Sequence, residues 1–226
     1  MKNYIIHLPR IEASLATAQV LFQKLQSYGA DVELFEGTYG NDAVQMMKDE
    51  GRRLHPWGIK GSSSVLDESL LDPNDKLLRP GVRGCFYSHY RLWLQCVKLN
   101  EPIIIFEDDI ALTRPYQPVD WDDVLIVALG HQNKSARYWH YLDTPEGEPC
   151  ATDYFQTSMP GCCGYAIKPH AARKLVEVYE NTYLPADNAI SVYHVKIQIH
   201  NYIMGRALVK ADGKRSLTTS TEAWIT

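Results

Sequence analysis

The sequence predicts an α/β fold, a mostly parallel sheet flanked by helices, in a single domain spanning residues 1–226. Three observations lead there. "NYIIHL", "IEASLATAQVLFQKLQSYGA" and "DVELFEG" read as strand, helix and strand in succession, and such a βαβ unit pairs its two strands in parallel. A second helix, "GCFYSHYRLWLQCVKLN", feeds directly into the apolar strand "PIIIF". The 226 residues, 45% of them apolar, suffice for one sizeable core, and no internal repeat or low-complexity tract divides them.

In the first helix Ile11, Leu15, Ala18, Phe22, Leu25 and Tyr28 recur at helical spacing before Gly29 stops it. Residues 38–83 are poor in periodicity and hold "HPWGIKGSSS" and "LDPNDK", both rich in turn formers, so an irregular stretch is expected there. The second helix sets Cys85, Ser88 or His89, Leu92, Cys96 and Leu99 along one face. "DDVLIVALG" is a further buried strand. "GCCGYAIKPHAARKLVEVYENT" reads as a strand, a Pro near a helix start, and a helix burying Ala172, Leu175, Val176 and Tyr179. Short strands are expected at "KIQIH" and "RALVK", ahead of a polar tail.

Composition narrows the function classes. A net charge of -4 and a pI near 6.1 supply no global attraction to nucleic acid or to an anionic membrane. No stretch approaches the roughly 18 apolar residues of a membrane span, and the apolar run in "MKNYIIHLPR" is too short for a secretory signal. A cytoplasmic location is expected, with peripheral contact to a membrane surface left open. The five cysteines are odd in number and lack C-x-x-C spacing, so free, mostly buried thiols are expected rather than a zinc or redox motif.

The strand "PIIIF" runs straight into Glu107, Asp108 and Asp109. Alternation along an extended chain would put Glu107 and Asp109 on one side, roughly 6 to 7 Å apart, with Asp108 facing away. Carboxylates gathered this way repel one another unless a divalent cation lies between them, and all-oxygen donors suit Mn2+ or Mg2+ better than Zn2+. Such an ion keeps open positions that phosphate oxygens fill, which points to a nucleoside diphosphate. Neither G-x-x-x-x-G-K-[ST] nor G-x-G-x-x-G is present, so basic residues such as Lys214 and Arg215 would have to help hold the phosphates. A solvated acidic turn is the competing reading.

The ordered set "IIHLPR", "FEGTYG", "GVRGCFYSHYRLW", "PIIIFEDDIAL", "GCCGYAIKPHAARKLVE" and "LPADNAI" resembles glycosyltransferase family 25, which includes lipooligosaccharide and collagen galactosyltransferases. The resemblance implies a GT-A fold whose Rossmann-like half binds a UDP-sugar. Glu107 and Asp109 then serve as metal ligands with Asp108 beside them, and His200 as a third ligand unless it is an ordinary surface residue. It implies an inverting displacement in which a hexose or pentose passes to an acceptor hydroxyl. Asp187, in "PADN", would be the base, and a helix N-cap is its alternative role.

Arg10, Glu36, Arg79, Gly84, Ser88 and His89, with Asp108, Lys214 and Arg215, carry over as donor-binding positions. Tyr138, Trp139 and Tyr141 could stack on a sugar or base, or simply pack. The expected acceptor is a lipooligosaccharide or polysaccharide sugar. Two alternatives stay open: a hydroxymethylated base of phage DNA, engaged by Arg52, Arg53, Trp57 and Lys60, and a catalytically silent sugar-nucleotide-binding module.

Overall fold

A computed structural model describes residues 1–51, 55–56, 79–117, 126–128, 149–151, 162–190, 199–202 and 208–211. β1 (Lys2–His7), α1 (Glu12–Ser27) and β2 (Val32–Glu36) form the opening βαβ unit. α2 (Gly40–Asp49) and the two-residue β3 (His55–Pro56) precede α3 (Pro80–Leu99), which leads into β4 (Ile103–Glu107) and β5 (Ile110–Leu112). Then come β6 (Ile126–Ala128), β7 (Pro149–Ala151), β8 (Gly164–Ile167) and α4 (Pro169–Val178). β9 (Thr182–Tyr183), α5 (Ala186–Ala189), β10 (Ile199–Tyr202) and β11 (Val209–Ala211) follow.

The main sheet has seven strands in the order β2-β1-β4-β8-β6-β10-β7. β2, β1, β4, β6 and β10 run one way, and β8 and β7 run the other, so the sheet is mostly parallel as expected. β5 pairs antiparallel with β11, and β3 pairs parallel with β9. From β1 the chain first moves outward to β2, then crosses back to β4 on the other side of β1. The reversal opens a crevice at the carboxyl ends of β1 and β4, the place where α/β sheets bind ligands.

Alternation sorts the core into two layers. Ile103 and Ile105 of β4 join Tyr4, Tyr165 and Ile167 beneath α2, α3 and α4. Ile104 and Phe106 join Ile5 and Ala166 beneath α1, with Ile110, Leu112 and Val209 of the β5–β11 pair. α3 is walled in: Phe86, Tyr87, Tyr90, Leu92, Trp93 and Cys96 are all buried. Phe86 meets Trp93 edge-on at 5.9 Å and Tyr179 at 5.6 Å. Each such ring contributes about 1.5–3 kcal/mol through burial. Pro80 sits at the first helical turn, and Asn100, at φ 53°, closes the other end in the left-handed region.

Three local expectations are corrected. Residues 38–83 open with a helix, α2, because Ala43 and Met47 lie one turn apart and bury together against α3. Tyr28 is exposed, since α1 ends at Ser27 and its buried face is Ser14, Ala18, Leu21 and Leu25. Leu99 is likewise exposed as the last residue of α3, beyond the reach of the sheet. Among the described residues no helix is long and apolar enough to cross a membrane.

Candidate functional site

The register brings three strand ends level: His7 pairs with Glu36, and Ile6 pairs with Glu107. Because α3 precedes β4 through a short turn and runs back along it, its N-terminal turns lie over this edge. The loop after β1 is pinned from two sides. The Leu8 N–H donates to Ser14 Oγ at 2.8 Å, and the Arg10 N–H donates to the Tyr39 hydroxyl at 2.6 Å. The Arg10 guanidinium lies 4.5 Å from the Tyr39 ring centre and 3.5 Å from Asp42, and its side chain stays largely exposed.

The loop after β2 is fixed from α3. Ser88, 1% exposed, accepts from the Thr38 N–H at 2.8 Å and donates to the Gly84 carbonyl at 2.7 Å. Arg91 donates to the Glu36 carbonyl and to Thr38 Oγ1, each at 3.0 Å, and covers the Phe35 ring at 4.7 Å. A side chain on Gly84 would run into the Thr38 carbonyl and the Gly40 N–H. Gly84 and Ser88 therefore hold a loop in place. Arg91 was missed because its partners lie more than 50 positions away in the chain.

β4 ends at Glu107, and Asp108 and Asp109 form the turn before β5, so strand alternation does not extend through all three acids. Glu107 has the parity of Ile103 and Ile105 and faces α3. Its Oε1 lies 3.5 Å from His89 Nε2 and 3.7 Å from Cys85 Sγ. His89 is fully buried, and its Nδ1 lies 2.9 Å from the Tyr165 hydroxyl, which accepts the Trp93 indole N–H at 2.8 Å. Asp108 turns the other way and accepts a hydrogen bond from Ser14 of α1. Burial pushes its carboxyl up to about 6, with the charge of Glu107 adding and the Ser14 bond opposing.

Asp109 and Asp187 belong to the Glu107 side. Burial holds the Cys85 thiol well above its usual range, and the charges of Glu107, Asp187 and Asp109 raise it further. The buried Cys162 is pushed up by burial and by Glu107 in the same way. Asp187 is the second residue of α5, whose N-cap is Pro185 with no side-chain cap bond, so the capping role is excluded. The charges of these three carboxylates thus all reach the Cys85 thiol at the crevice. Carboxylates are hard oxygen donors of the kind that hold a divalent ion.

Other candidates lie at the rim of this edge or away from it. His200 lies within β10 rather than after a strand, in register with Val127, which is level with Ala166 and hence with Ile104. That places its backbone three strands across and three residues back from Glu107, about 17 Å away by standard strand spacings. Arg79 is exposed at the N-cap of α3 and Glu36 is exposed at the end of β2. β11 runs toward the acidic turn and ends at Ala211, opposite Ile110. Lys214, Arg215, Tyr138, Trp139, Tyr141, Arg52, Arg53, Trp57 and Lys60 lie outside the described residues.

A mostly parallel sheet with acidic residues gathered at its switch-point crevice defines a Rossmann-like ligand-binding protein of the kind used for glycosyl transfer. The chain belongs to glycosyltransferase family 25 (LPS biosynthesis protein), whose family model matches residues 1–123. That match takes in β1 through β5 and the acidic turn, and stops ahead of Tyr165 and Asp187. The chain is similar to the lipooligosaccharide biosynthesis protein lex-1 of Haemophilus influenzae, 26% identical over 145 residues, which are 57% of this chain and 47% of that protein. It is also similar to a glycosyltransferase 25 family member of Aedes aegypti, 30% identical over 112 residues, 49% of this chain and 17% of the other. The aligned region is less than half the length of either relative.

Proposed function

We propose that the protein is an inverting glycosyltransferase of GT-A type, moving a hexose or pentose from a UDP-sugar to a hydroxyl of a lipooligosaccharide or polysaccharide sugar. The observation that carries this is the acidic turn that follows β4 at the carboxyl edge of the sheet, with the charges of Glu107, Asp109 and Asp187 all felt at Cys85. Family membership supports the transferase class, and the lex-1 likeness supports the glycan acceptor.

Asp109, with Glu107, would hold the Mn2+ or Mg2+ that offsets the charge of a diphosphate leaving group. The N-terminal end of α3 also faces this edge, so its positive dipole end favours phosphate there, with exposed Arg79 and Arg10 as counter-charges. Asp187 comes from a different element and is the base for the acceptor hydroxyl, which must lose its proton as it attacks the anomeric carbon.

The deciding experiment incubates the chain with a panel of UDP-sugars and CMP-sugars plus Mn2+, with and without lipooligosaccharide, and measures nucleotide release. Release from a UDP-sugar that Asp109→Ala abolishes supports the reading. Turnover of CMP-sugars alone would replace the donor, and UDP binding without turnover on any acceptor would make the chain a binding module.

A further inference from the structure

The acidic turn explains Asp109, yet it leaves unaccounted for a cluster in which His89 is buried and Cys85 and Glu107 are half-buried. Cys85 and His89 sit one turn apart on the inner face of α3, so both side chains point at the end of β4. Cys85 Sγ, a His89 ring nitrogen and a Glu107 oxygen all lie within 4.8 Å of one another, with the two distances to Oε1 at 3.5 and 3.7 Å. Ligands around a tetrahedral ion with bonds of roughly 2.0 to 2.3 Å stand roughly 3.3 to 3.8 Å apart. The cluster needs little movement to close on one.

A second observation points the same way. His89 is fully buried and its Nε2, the nitrogen aimed at Glu107, has no hydrogen-bond partner. Buried polar atoms are rarely left so. Its Nδ1 meets the Tyr165 hydroxyl, and Trp93 directs its N–H at the same oxygen. A hydroxyl oxygen can accept from both. With Nδ1–H donating to Tyr165, Nε2 presents its lone pair to the cluster, the tautomer that a metal-bound imidazole takes, with Tyr165 orienting the ring from behind.

We propose that Cys85, His89 and Glu107 form a binding site for a borderline transition-metal ion of the Zn2+ class, reached through Glu107 Oε1 and sharing that carboxylate with the hard ion that accompanies a diphosphate. A thiol, an imidazole and a carboxylate form a mixed S/N/O set, which Mg2+ and Mn2+ do not favour and Zn2+ or Co2+ does. Binding releases the Cys85 proton to solvent and leaves thiolate, imidazole and carboxylate on the ion. Three protein ligands leave a fourth position open. The site stands whether or not the donor is a UDP-sugar.

The test strips the chain of metal and titrates it with Co2+ while recording the visible spectrum. One equivalent should give tetrahedral bands with a thiolate charge-transfer band. Cys85→Ser should remove that band, His89→Gln should weaken Co2+ binding about 10-fold or more, and Cys96→Ser, buried at the far end of α3, should change neither. In the unaltered protein, Zn2+ but not Mg2+ should slow alkylation of Cys85, read by mass spectrometry, a measurement that needs no variant to fold. No thiolate band, a band that survives Cys85→Ser, or equal alkylation with either ion would each overturn the site. Loss of nucleotide-sugar turnover with Co2+ binding intact would fault the proposed donor and leave this site standing.

Discussion

At the scale of single residues the three consecutive acids divide by direction. Glu107 turns to α3, Asp108 to Ser14 of α1, and Asp109 acts on the Cys85 side. Asp109→Asn is therefore expected to lower Mn2+ affinity strongly, and Asp108→Asn to change it little, as measured by isothermal titration. Asp108→Asn should also stabilise the protein at neutral pH by about 1 kcal/mol after discounting for solvent screening, because it removes a half-buried charge whose pKa is raised to about 6. Equal losses of ion affinity from the two variants would refute the division. Behind Glu107, Tyr165→Phe leaves the Trp93 N–H buried without an acceptor. It should cost about 2 kcal/mol in urea unfolding, and a cost near zero would show that water replaces the hydroxyl.

At the scale of elements α3 does most of the positioning. Its inner face carries Gly84, Cys85, Ser88 and His89, which anchor the β2–α2 loop on one side and the end of β4 on the other. Two effects compete in Gly84→Ala. Helix propensity favours Ala by about 1 kcal/mol, whereas the added methyl meets the Thr38 carbonyl and forces the loop away at about 1–3 kcal/mol. The clash should win, because backbone is slow to yield, and the variant should melt lower and lose donor affinity together. A rise in melting temperature would mean the loop moves freely. Ser88→Ala leaves the buried Thr38 N–H unpaired and should cost on the order of 1–3 kcal/mol, while Leu94→Ala on the exposed face should stay within about 0.5 kcal/mol.

For the whole molecule the decisive feature is the reversal of strand order at β1, which sets the ends of β1, β2 and β4 beside one another. His7 lies at this edge, 8% exposed, and burial lowers its pKa below 6.5 while the nearby Glu36 opposes the shift. Its neutral form is the one that folds in. The stability it contributes is present above its unfolded pKa, about 6.5, and is lost as pH falls through the lower folded value. Denaturation curves of the unaltered protein and His7→Gln, compared from neutral to mildly acidic pH, should diverge, the unaltered protein losing more stability as acid is added. Parallel pH dependence would show that His7 charges without leaving its place.

Much of the fold was legible because it is local. Apolar runs, helical spacing and stop signals mark β1, α1, β2, α3, β4 and α4 within a few residues of where they lie, and hydrophobic burial enforces the same pattern in three dimensions. α2 was missed because its short apolar stripe sits in a stretch dominated by turn formers. The acidic turn was visible too, since charges directly after a buried strand conflict with burial and need a reason. What the sequence by itself determined is thus the α/β succession and the place of the acids at a strand's end. Only the tertiary structure decided which acids act on the Cys85 thiol, that His200 lies strands away, that Asp187 does not cap its helix, and that Cys85, His89 and Tyr165 stand behind Glu107. Those facts depend on register and on helix placement across the sheet, and contacts between residues 20 to 100 positions apart leave no periodic trace in one chain.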